Sequence, residues 1–427
     1  MGKTKLFFYD TPLNKYSVTA LLGALETREG LLDTLEVGFF CKPEELTERE
    51  DILPDDTVIL AFSFFSSQIW EMHDMLLALA PLRERCRMLT LAGGPHATGD
   101  AERTVTVLGF DYALAGEGEE LFPDTVEALR DGRDPAGLPG LTGYDNNGTL
   151  VRGGQAARVE IENYSPDARS FRRYGPIEIT RGCPYGCSFC QTGNLMGRRV
   201  RHRSVETIQA VIERAQRDFP VRFFRALTPN ALSFGSKDGV TADLGTVERL
   251  LEMLRETLGA DGKIYMGYFP SEVRPNHVTE ESVALLRRFV CNEDIVIGAQ
   301  SGSERILKAA HRGHTVDDVY RAVEILHRGG FTADVDFIFG MPGEEAEDIA
   351  LSIRMIERLA DMGAKVNVHT FMPLPQTPWE LCDYGTVPAE AKELIRRLGT
   401  KGVVYGDWAH QAELAKRIHF YYKTGTL

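Results

Sequence analysis

A chain of 427 residues with 43% hydrophobic and 26% charged side chains has the composition of an ordinary soluble globular protein, and it is too long for one simple core, so two domains and a small third are expected. The formal net charge of −14, with a pI near 5.3, disfavours a role that depends on neutralising many phosphates along a nucleic acid. A small-molecule or peptide substrate is favoured instead.

The first eight residues hold one short apolar patch among charges rather than the long apolar core of a signal peptide, and no stretch approaches a membrane span. Seven cysteines, an odd number with three crowded into eight residues, fit a reducing compartment and a metal site better than a disulfide framework. A cytoplasmic location is expected.

In chain order, short apolar runs at 6–9, 35–40, 57–62, 88–92 and 112–115 read as strands, and 18–26, 70–82 and 121–129 repeat apolar residues at helical spacing. Strand and helix alternate, which implies a parallel, doubly wound sheet of the flavodoxin-like kind over 1–135. Residues 136–172 are read as a linker, because the chain from 131 to 154 is rich in Gly, Pro, Asp and Asn, with one hairpin around 145–148.

Alternation resumes with strands expected at 177–180, 221–227, 263–269, 294–299, 333–339 and 365–371, separated by helices at 205–218, 246–258, 280–288, 316–329 and 346–362. Six such units over 173–375 predict an open, partial (β/α)6 barrel, and the amphipathic tail, 376–427, a short helical cap.

Directly after the first of these strands the chain reads Arg181-Gly-Cys-Pro-Tyr-Gly-Cys-Ser-Phe-Cys190, a C-x3-C-x2-C run punctuated by Gly182, Pro184 and Gly186. Small and turn-forming residues let Cys183, Cys187 and Cys190 converge on one point. Three soft thiolates with no neighbouring fourth Cys or His suit an iron–sulfur cube with one open iron, whereas structural zinc wants four closed ligands. The loop also falls at the C-terminal end of a barrel strand, where barrel active sites sit.

These residues resemble the radical S-adenosylmethionine superfamily, whose signature has this spacing with an aromatic residue, here Phe189, before the third cysteine. The resemblance implies a 4Fe-4S cluster, chelation of S-adenosylmethionine through its amino and carboxylate groups, and an external electron donor such as flavodoxin or ferredoxin. It implies reductive cleavage to a 5′-deoxyadenosyl radical, in a barrel that excludes water.

Other barrel positions follow from the same resemblance. Gln300-Ser-Gly-Ser-Glu-Arg305 and Arg312-Gly-His314 point to Ser301 and Arg312 as contacts to the S-adenosylmethionine ribose and carboxylate, although a Ser-Gly-Ser run also serves as a helix N-cap. In Phe337-Ile-Phe-Gly-Met-Pro-Gly-Glu344, Ile338 is the residue expected to pack on adenine, or else the run is a plain strand-to-helix turn. Where relatives carry a Gly-Gly-Glu-like run, this chain has Arg225-Ala-Leu-Thr-Pro-Asn230, which leaves the amino-group contact unassigned, with Thr228 and Asn230 as weak substitutes. Glu272 and Arg274, and the basic run from Arg198 to Arg203, read equally well as solvated charges. Cys41, Cys86, Cys291 and Cys382 have no cluster spacing.

Toward the N-terminus, Leu89-Thr-Leu-Ala-Gly-Gly-Pro-His-Ala-Thr98 and Gly116-Glu-Gly-Glu-Glu120 place glycine turns after strands, where doubly wound sheets bind ligands. With Asn14-Lys-Tyr-Ser17 and Ser63-Phe-Phe-Ser-Ser67 they resemble the cobalamin-binding domain fused to one class of radical S-adenosylmethionine enzymes. The resemblance implies cobalamin contacts at Ser63, Ser66, Gly93, Gly94, His96, Gly116, Glu117 and Gly118. The Asp-x-His-x-x-Gly run that supplies a histidine to cobalt elsewhere is missing, so His96 is expected at a turn or a cofactor edge rather than on the metal.

Together these resemblances imply a cobalamin-dependent methyltransferase acting on an unreactive carbon of a small molecule or peptide. The same parts also serve a cobalamin-dependent rearrangement or cyclisation without methyl transfer. Sulfur insertion into transfer RNA, as in methylthiotransferases, would want a third N-terminal cysteine beside Cys41 and Cys86 and a basic C-terminal module. A corrinoid or redox carrier without catalysis would need no open iron.

Overall fold

The computed structural model describes residues 2–427, which divide into two compact units, one of residues 2–175 with 424–427 and one of residues 176–423. The first unit is built on a seven-stranded sheet of β1 (Thr4–Tyr9), β2 (Leu35–Phe40), β3 (Thr57–Ser63), β4 (Arg87–Gly93), β5 (Tyr112–Leu114), β6 (Leu141–Tyr144) and β7 (Leu150–Arg152). Its order is β2-β1-β3-β4-β5-β6-β7, parallel through β5 and antiparallel across β6 and β7.

Both faces of this sheet are apolar, as helices on both sides require. Leu6 and Phe8 of β1 pack with Ile59, Leu91, Val18, Leu22 and Phe122, the last three from the helices Lys15–Leu25 and Gly118–Arg130. On the opposite face Tyr9, Phe40, Phe62 and Phe110 meet, mostly edge to face or tilted, at ring-centroid separations of 5.3 to 5.7 Å. A side chain of this size, fully buried, stabilises by about 1.5–3 kcal/mol.

Within the segment read as a linker, the hairpin expected around 145–148 is present and is part of the sheet: residues 141–152 form it and its first strand adds to β5, so the sheet unit runs on to Gly175. The strands are short and flanked by Gly and Asp, which masks a period-two pattern.

The second unit begins with an extended segment, β8 (Ile177–Glu178) and β9 (Thr180–Arg181), with β10 (Arg201–His202) antiparallel to β9. Parallel strands follow as β11 (Phe223–Leu227), β12 (Lys263–Tyr265), β13 (Asp294–Gln300), β14 (Thr332–Phe339), β15 (Lys365–Thr370) and β16 (Val404–Tyr405). They pair in the orders β12-β11-β8 and β13-β14-β15-β16. The two sheets are joined where Val296 N donates to Gly267 O (2.8 Å) and Val273 N to Val296 O (2.9 Å). The result is an open barrel whose helices lie between successive strands, as the 3.6-residue periodicity predicts; 205–218 is reproduced to the residue.

The tail differs from a purely helical cap. Between the helices Ala389–Gly399 and Trp408–Thr424, Val404 and Tyr405 pair with Val366 and Asn367 and make a seventh parallel barrel strand. Two residues carry no readable period.

Candidate active site

Gly182 opens the cysteine loop at φ +89°, and a side chain there would clash with the Arg199 carbonyl. Cys183 N donates to Gly197 O at 3.0 Å, and Cys190 N to Cys187 O at 3.1 Å. Ser188 ties the loop to the end of the helix Glu304–Ala309, its N–H donating to Ala310 O (3.0 Å) and its hydroxyl to Ala309 O (3.2 Å).

All three thiols are free, with Cys187 buried. Burial, and the neighbouring cysteines' charges, push the Cys183 thiol up; burial does the same for Cys190. Among the described residues no three His, Cys, Asp or Glu side chains close on a single metal ion. The charges of Cys187 and Cys190 act on Cys183, and three thiolates with no fourth protein ligand are the donor set of an iron–sulfur cube with one open iron.

Arg312 is the cation of this site. Its Nη1 lies 3.5 Å from the Cys187 sulfur and its Nη2 donates to Gly298 O at 2.9 Å. A Cβ at Gly298 would sit 2.9 Å from that Nη2, so glycine keeps the arginine's path open. The strand ends in a bulge between Gly298 and Gln300, with Gln300 at φ +72°. Arg274 supports the same corner: its guanidinium lies 3.4 Å over the Tyr185 ring and donates to the Arg312 carbonyl.

Beside the cysteines, Phe189 and Ile338 join one apolar cluster with Ile306, Met341, Phe371 and Trp379. Two positions far apart in sequence, both expected at the S-adenosylmethionine site, thus share one wall. Ser301 is placed otherwise. Its hydroxyl meets Ser352 Oγ at 3.3 Å and accepts from Ser303 N at 3.2 Å, while Ser303 caps the helix Glu304–Ala309 and donates to Asp348. Gly302 lets the helix Ala346–Asp361 approach, since a Cβ there would be 2.7 Å from the Leu351 carbonyl. The Ser-Gly-Ser run therefore works as a cap and a docking point.

Several charges expected in solvent are buried. Arg201 and Arg203 of the basic run are 5% and 3% exposed and donate to Met196 O and Glu178 O, whereas Arg198 and Arg199 of the same run are exposed. Arg274 is 6% exposed. Asn230 is buried too, its side chain against His277 Nδ1 (2.9 Å) and the Arg274 N–H (3.3 Å), and Thr228 bonds the Asn230 carbonyl; both shape a turn.

In the sheet unit, the β2-β1-β3 order puts the topological switch point between β1 and β3. Asn14 spans it, its amide donating to Tyr9 O (2.8 Å) and Ser63 O (3.2 Å). Leu13 and Phe65, 64% and 44% exposed, flank it at the same strand ends. Gly94, at φ +86°, packs so closely that a Cβ would lie 2.8 Å from Phe64 N and Ser63 Oγ. Gly93 ends β4, with its carbonyl accepting from Phe64 N at 3.3 Å. His96 is fully buried, with Nδ1 3.0 Å from Ser66 Oγ and its ring stacked on Phe64; burial brings its pKa down to about 3. Gly116, Glu117 and Gly118 serve the chain itself. A Cβ at Gly116 would be 3.0 Å from Ala156 N, one at Gly118 2.7 Å from Leu21, and the Glu117 carboxylate accepts from Val159 N at 3.0 Å.

One group of barrel residues escaped the sequence reading. Asp334 and Asp336 alternate with buried Val335 and Phe337 on β14, and Asn367 and His369 with Val366 and Val368 on β15. Polar residues in period two within strands that are buried on both faces were the available signal.

Residues 177–356 match the Radical SAM superfamily, so the barrel unit belongs to that superfamily, whose domain carries an iron–sulfur cluster and S-adenosylmethionine. Among curated relatives, an uncharacterized protein of Methanopyrus kandleri is 26% identical over 351 residues, covering 73% of this chain and 66% of its own length. An uncharacterized methyltransferase of Pyrococcus horikoshii is 26% identical over 308 residues, covering 69% and 62%. The chain thus spans just under two thirds of these relatives.

The finer likeness is one of fold. The radical S-adenosylmethionine methyltransferase TsrM from Kitasatospora setae, solved with cobalamin and a 4Fe-4S cluster bound, superposes with a TM-score of 0.63 at 18% identity, over 89% of this chain and 77% of its own. The cobalamin-dependent S-adenosylmethionine radical enzyme OxsB, with aqua-cobalamin and S-adenosylmethionine bound, gives 0.63 at 17% identity over 100% of this chain and 62% of its own. No described helix is long and apolar enough to cross a membrane.

Proposed function

We propose that this chain is a cobalamin-dependent radical S-adenosylmethionine methyltransferase acting on an unreactive carbon of a small molecule or peptide. The observation that carries the radical half is the three-thiol loop after β9, with a guanidinium on one of its sulfurs. When bound, the cluster and S-adenosylmethionine supply a carbon-centred radical, and cobalamin a transferable methyl group.

The chain's own residues have definite parts. Cys183, Cys187 and Cys190 would hold the cluster. Arg312 places positive charge beside it, favouring the thiolate form of its ligands and an anionic group alongside. Phe189 and Ile338, with Trp379 behind, offer an apolar wall that suits adenine and keeps water out. In the sheet unit, Ser63, Ser66, Gly93 and Gly94 lie by the switch point, and the exposed Leu13 and Phe65 give its rim the apolar surface a large corrin ring would cover. With His96 buried and Gly116 to Gly118 engaged by the chain's own backbone, cobalamin would be held without a protein ligand to cobalt.

The likeness to TsrM supports methyl transfer over a rearrangement without it, and product analysis separates the two. With S-adenosylmethionine methyl-labelled by deuterium, a low-potential reductant and no oxygen, the methyltransferase reading expects labelled methyl in a product from extracts of the source cells. Turnover that yields 5′-deoxyadenosine and an altered but unlabelled product would overturn methyl transfer.

A further inference from the structure

We propose that the barrel interior recognises a hydrogen-bond-donating group of the substrate, an amine or heteroaromatic N–H, with the Glu272 carboxylate as acceptor and the Asp336–His369 pair as its support. This rests on the preceding section only for the idea that a substrate enters the barrel.

Strand register places the parts. Val273 bridges to Ile297, Ile297 is level with Val335, and these three apolar side chains face the helices. Because side chains alternate, Glu272 then shares the inner face with Gly298, Asp336 and Asn367. Asp336 is engaged there through one oxygen: Asn367 Nδ2 is 3.0 Å and His369 Nε2 3.3 Å from its Oδ1.

The histidine's tautomer follows from its other neighbour. Thr370 N–H can only donate, and it fixes Gln411 Oε1 as its acceptor at 2.9 Å. The Gln411 amide nitrogen must then face His369 Nδ1, at 3.1 Å, so Nδ1 accepts and the proton sits on Nε2, facing Asp336. Asp336 Oδ1 is therefore an acceptor whose two donors the protein itself supplies.

Glu272 is different. It is partly buried, and the charges of Asp336, Arg312 and His369 act on it. Arg312 has its two terminal nitrogens committed to Gly298 O and the Cys187 sulfur. Burial, with Asp336 next, raises the Glu272 carboxyl to about 7, so it exchanges its proton near neutrality. A second carboxylate on this face is also incompletely matched: Asp334, 8% exposed, bonds Tyr405 through Oδ2, while its buried Oδ1 has no partner among the described residues. The arginines around it are turned elsewhere, Arg225 over Tyr265 and Tyr268, Arg274 over Tyr185 and Arg312 through its terminal nitrogens to Gly298 O and the Cys187 sulfur, so Glu272 is the carboxylate left to accept from an incoming donor.

The test uses the full chain with its cluster reconstituted and iron and sulfide counted, titrated calorimetrically at pH 8 with benzylamine and with benzoate, which share shape and differ in charge. Benzylamine is expected to bind at least tenfold more tightly than benzoate, and Glu272→Gln to weaken benzylamine by tenfold or more. A preference for benzoate, equal or absent binding of both, or a Glu272→Gln protein that binds benzylamine undiminished overturns the proposal. Should the variant fail to fold, the wild-type comparison still decides. A chain that binds benzylamine but holds no cluster would sink the radical reading and leave this one standing, and a cluster-loaded chain that cleaves S-adenosylmethionine and ignores benzylamine would do the reverse.

Discussion

The two units handle their strand ends in opposite ways. In the sheet unit, the glycines and polar residues beyond β4 and β5 close largely on the chain's own backbone: Gly94 on Phe64, Gly116 on Ala156, Glu117 on Val159. In the barrel, the corresponding edge gathers thiols, two arginines and an apolar wall, and the strand interiors carry charge. A glycine turn is thus weak evidence of a ligand wherever backbone packing explains it. Buried charge in a strand that could have been apolar is stronger evidence, because burying it costs several kcal/mol unless something compensates.

Substitutions should divide along this line. The largest effect is expected from replacing Cys183, Cys187 and Cys190 together by alanine, which should remove essentially all iron after anaerobic reconstitution while the sheet unit's circular dichroism persists. Iron retained above half the wild-type level would place the cluster elsewhere. Next, Gly182→Val puts a β-branched residue at φ +89° against the Arg199 carbonyl. Strain of about 1–3 kcal/mol should disorder the loop and cut bound iron roughly tenfold. Normal iron in this variant would show that the loop geometry matters less than the cysteines alone.

Arg312→Ala removes a charged donor from the Cys187 sulfur, so the cluster's reduction potential should fall by on the order of tens of millivolts in an EPR-monitored titration. Arg312→Lys should recover part of the shift. An unchanged potential would confine Arg312 to substrate-side binding.

The smallest effect concerns pH and separates the units. His96 has a pKa of about 3 in the fold against 6.5 in the unfolded chain, so its stabilising contribution is complete above 6.5 and is lost as pH falls toward 3. Between pH 7 and 5.5 that amounts to about 1 kcal/mol, which denaturant titrations should detect in the sheet unit and not in His96→Gln. Glu272 and Glu344 carry raised values of about 7, mainly through burial, so they stabilise the barrel below 4.5 and that contribution is lost as pH rises toward 7. Parallel pH profiles for the two units would contradict this contrast.

Much of the architecture could be read from residue order. The runs 35–40 and 57–62 became β2 and β3 within a residue, and the cysteine loop fell where barrel strands end. Helix spacing was equally legible, except where Pro81 splits one expected helix into Ile69–Ala78 and Ala80–Arg85. Three things were hidden. The joining of the 145–148 hairpin to β5 and the Val404–Tyr405 strand leave no period to read, because these strands are too short. Burial of Arg201, Arg203 and Arg274 depends on carbonyls and rings distant in sequence. Ser301 and Phe189 looked equally suited to a cofactor, yet one turns onto Ser352 and the other joins Ile338, a distinction only packing makes.

One chain is expected to hold both an iron–sulfur cluster and a corrinoid. The direct measurement is to produce the protein without oxygen in cells supplied with cobalamin, then count iron, sulfide and corrinoid per chain, with the triple cysteine variant alongside. Near four irons and one corrinoid, with only the iron lost in the variant, is the predicted result. Iron without corrinoid would leave a radical enzyme and contradict methyl transfer through cobalamin.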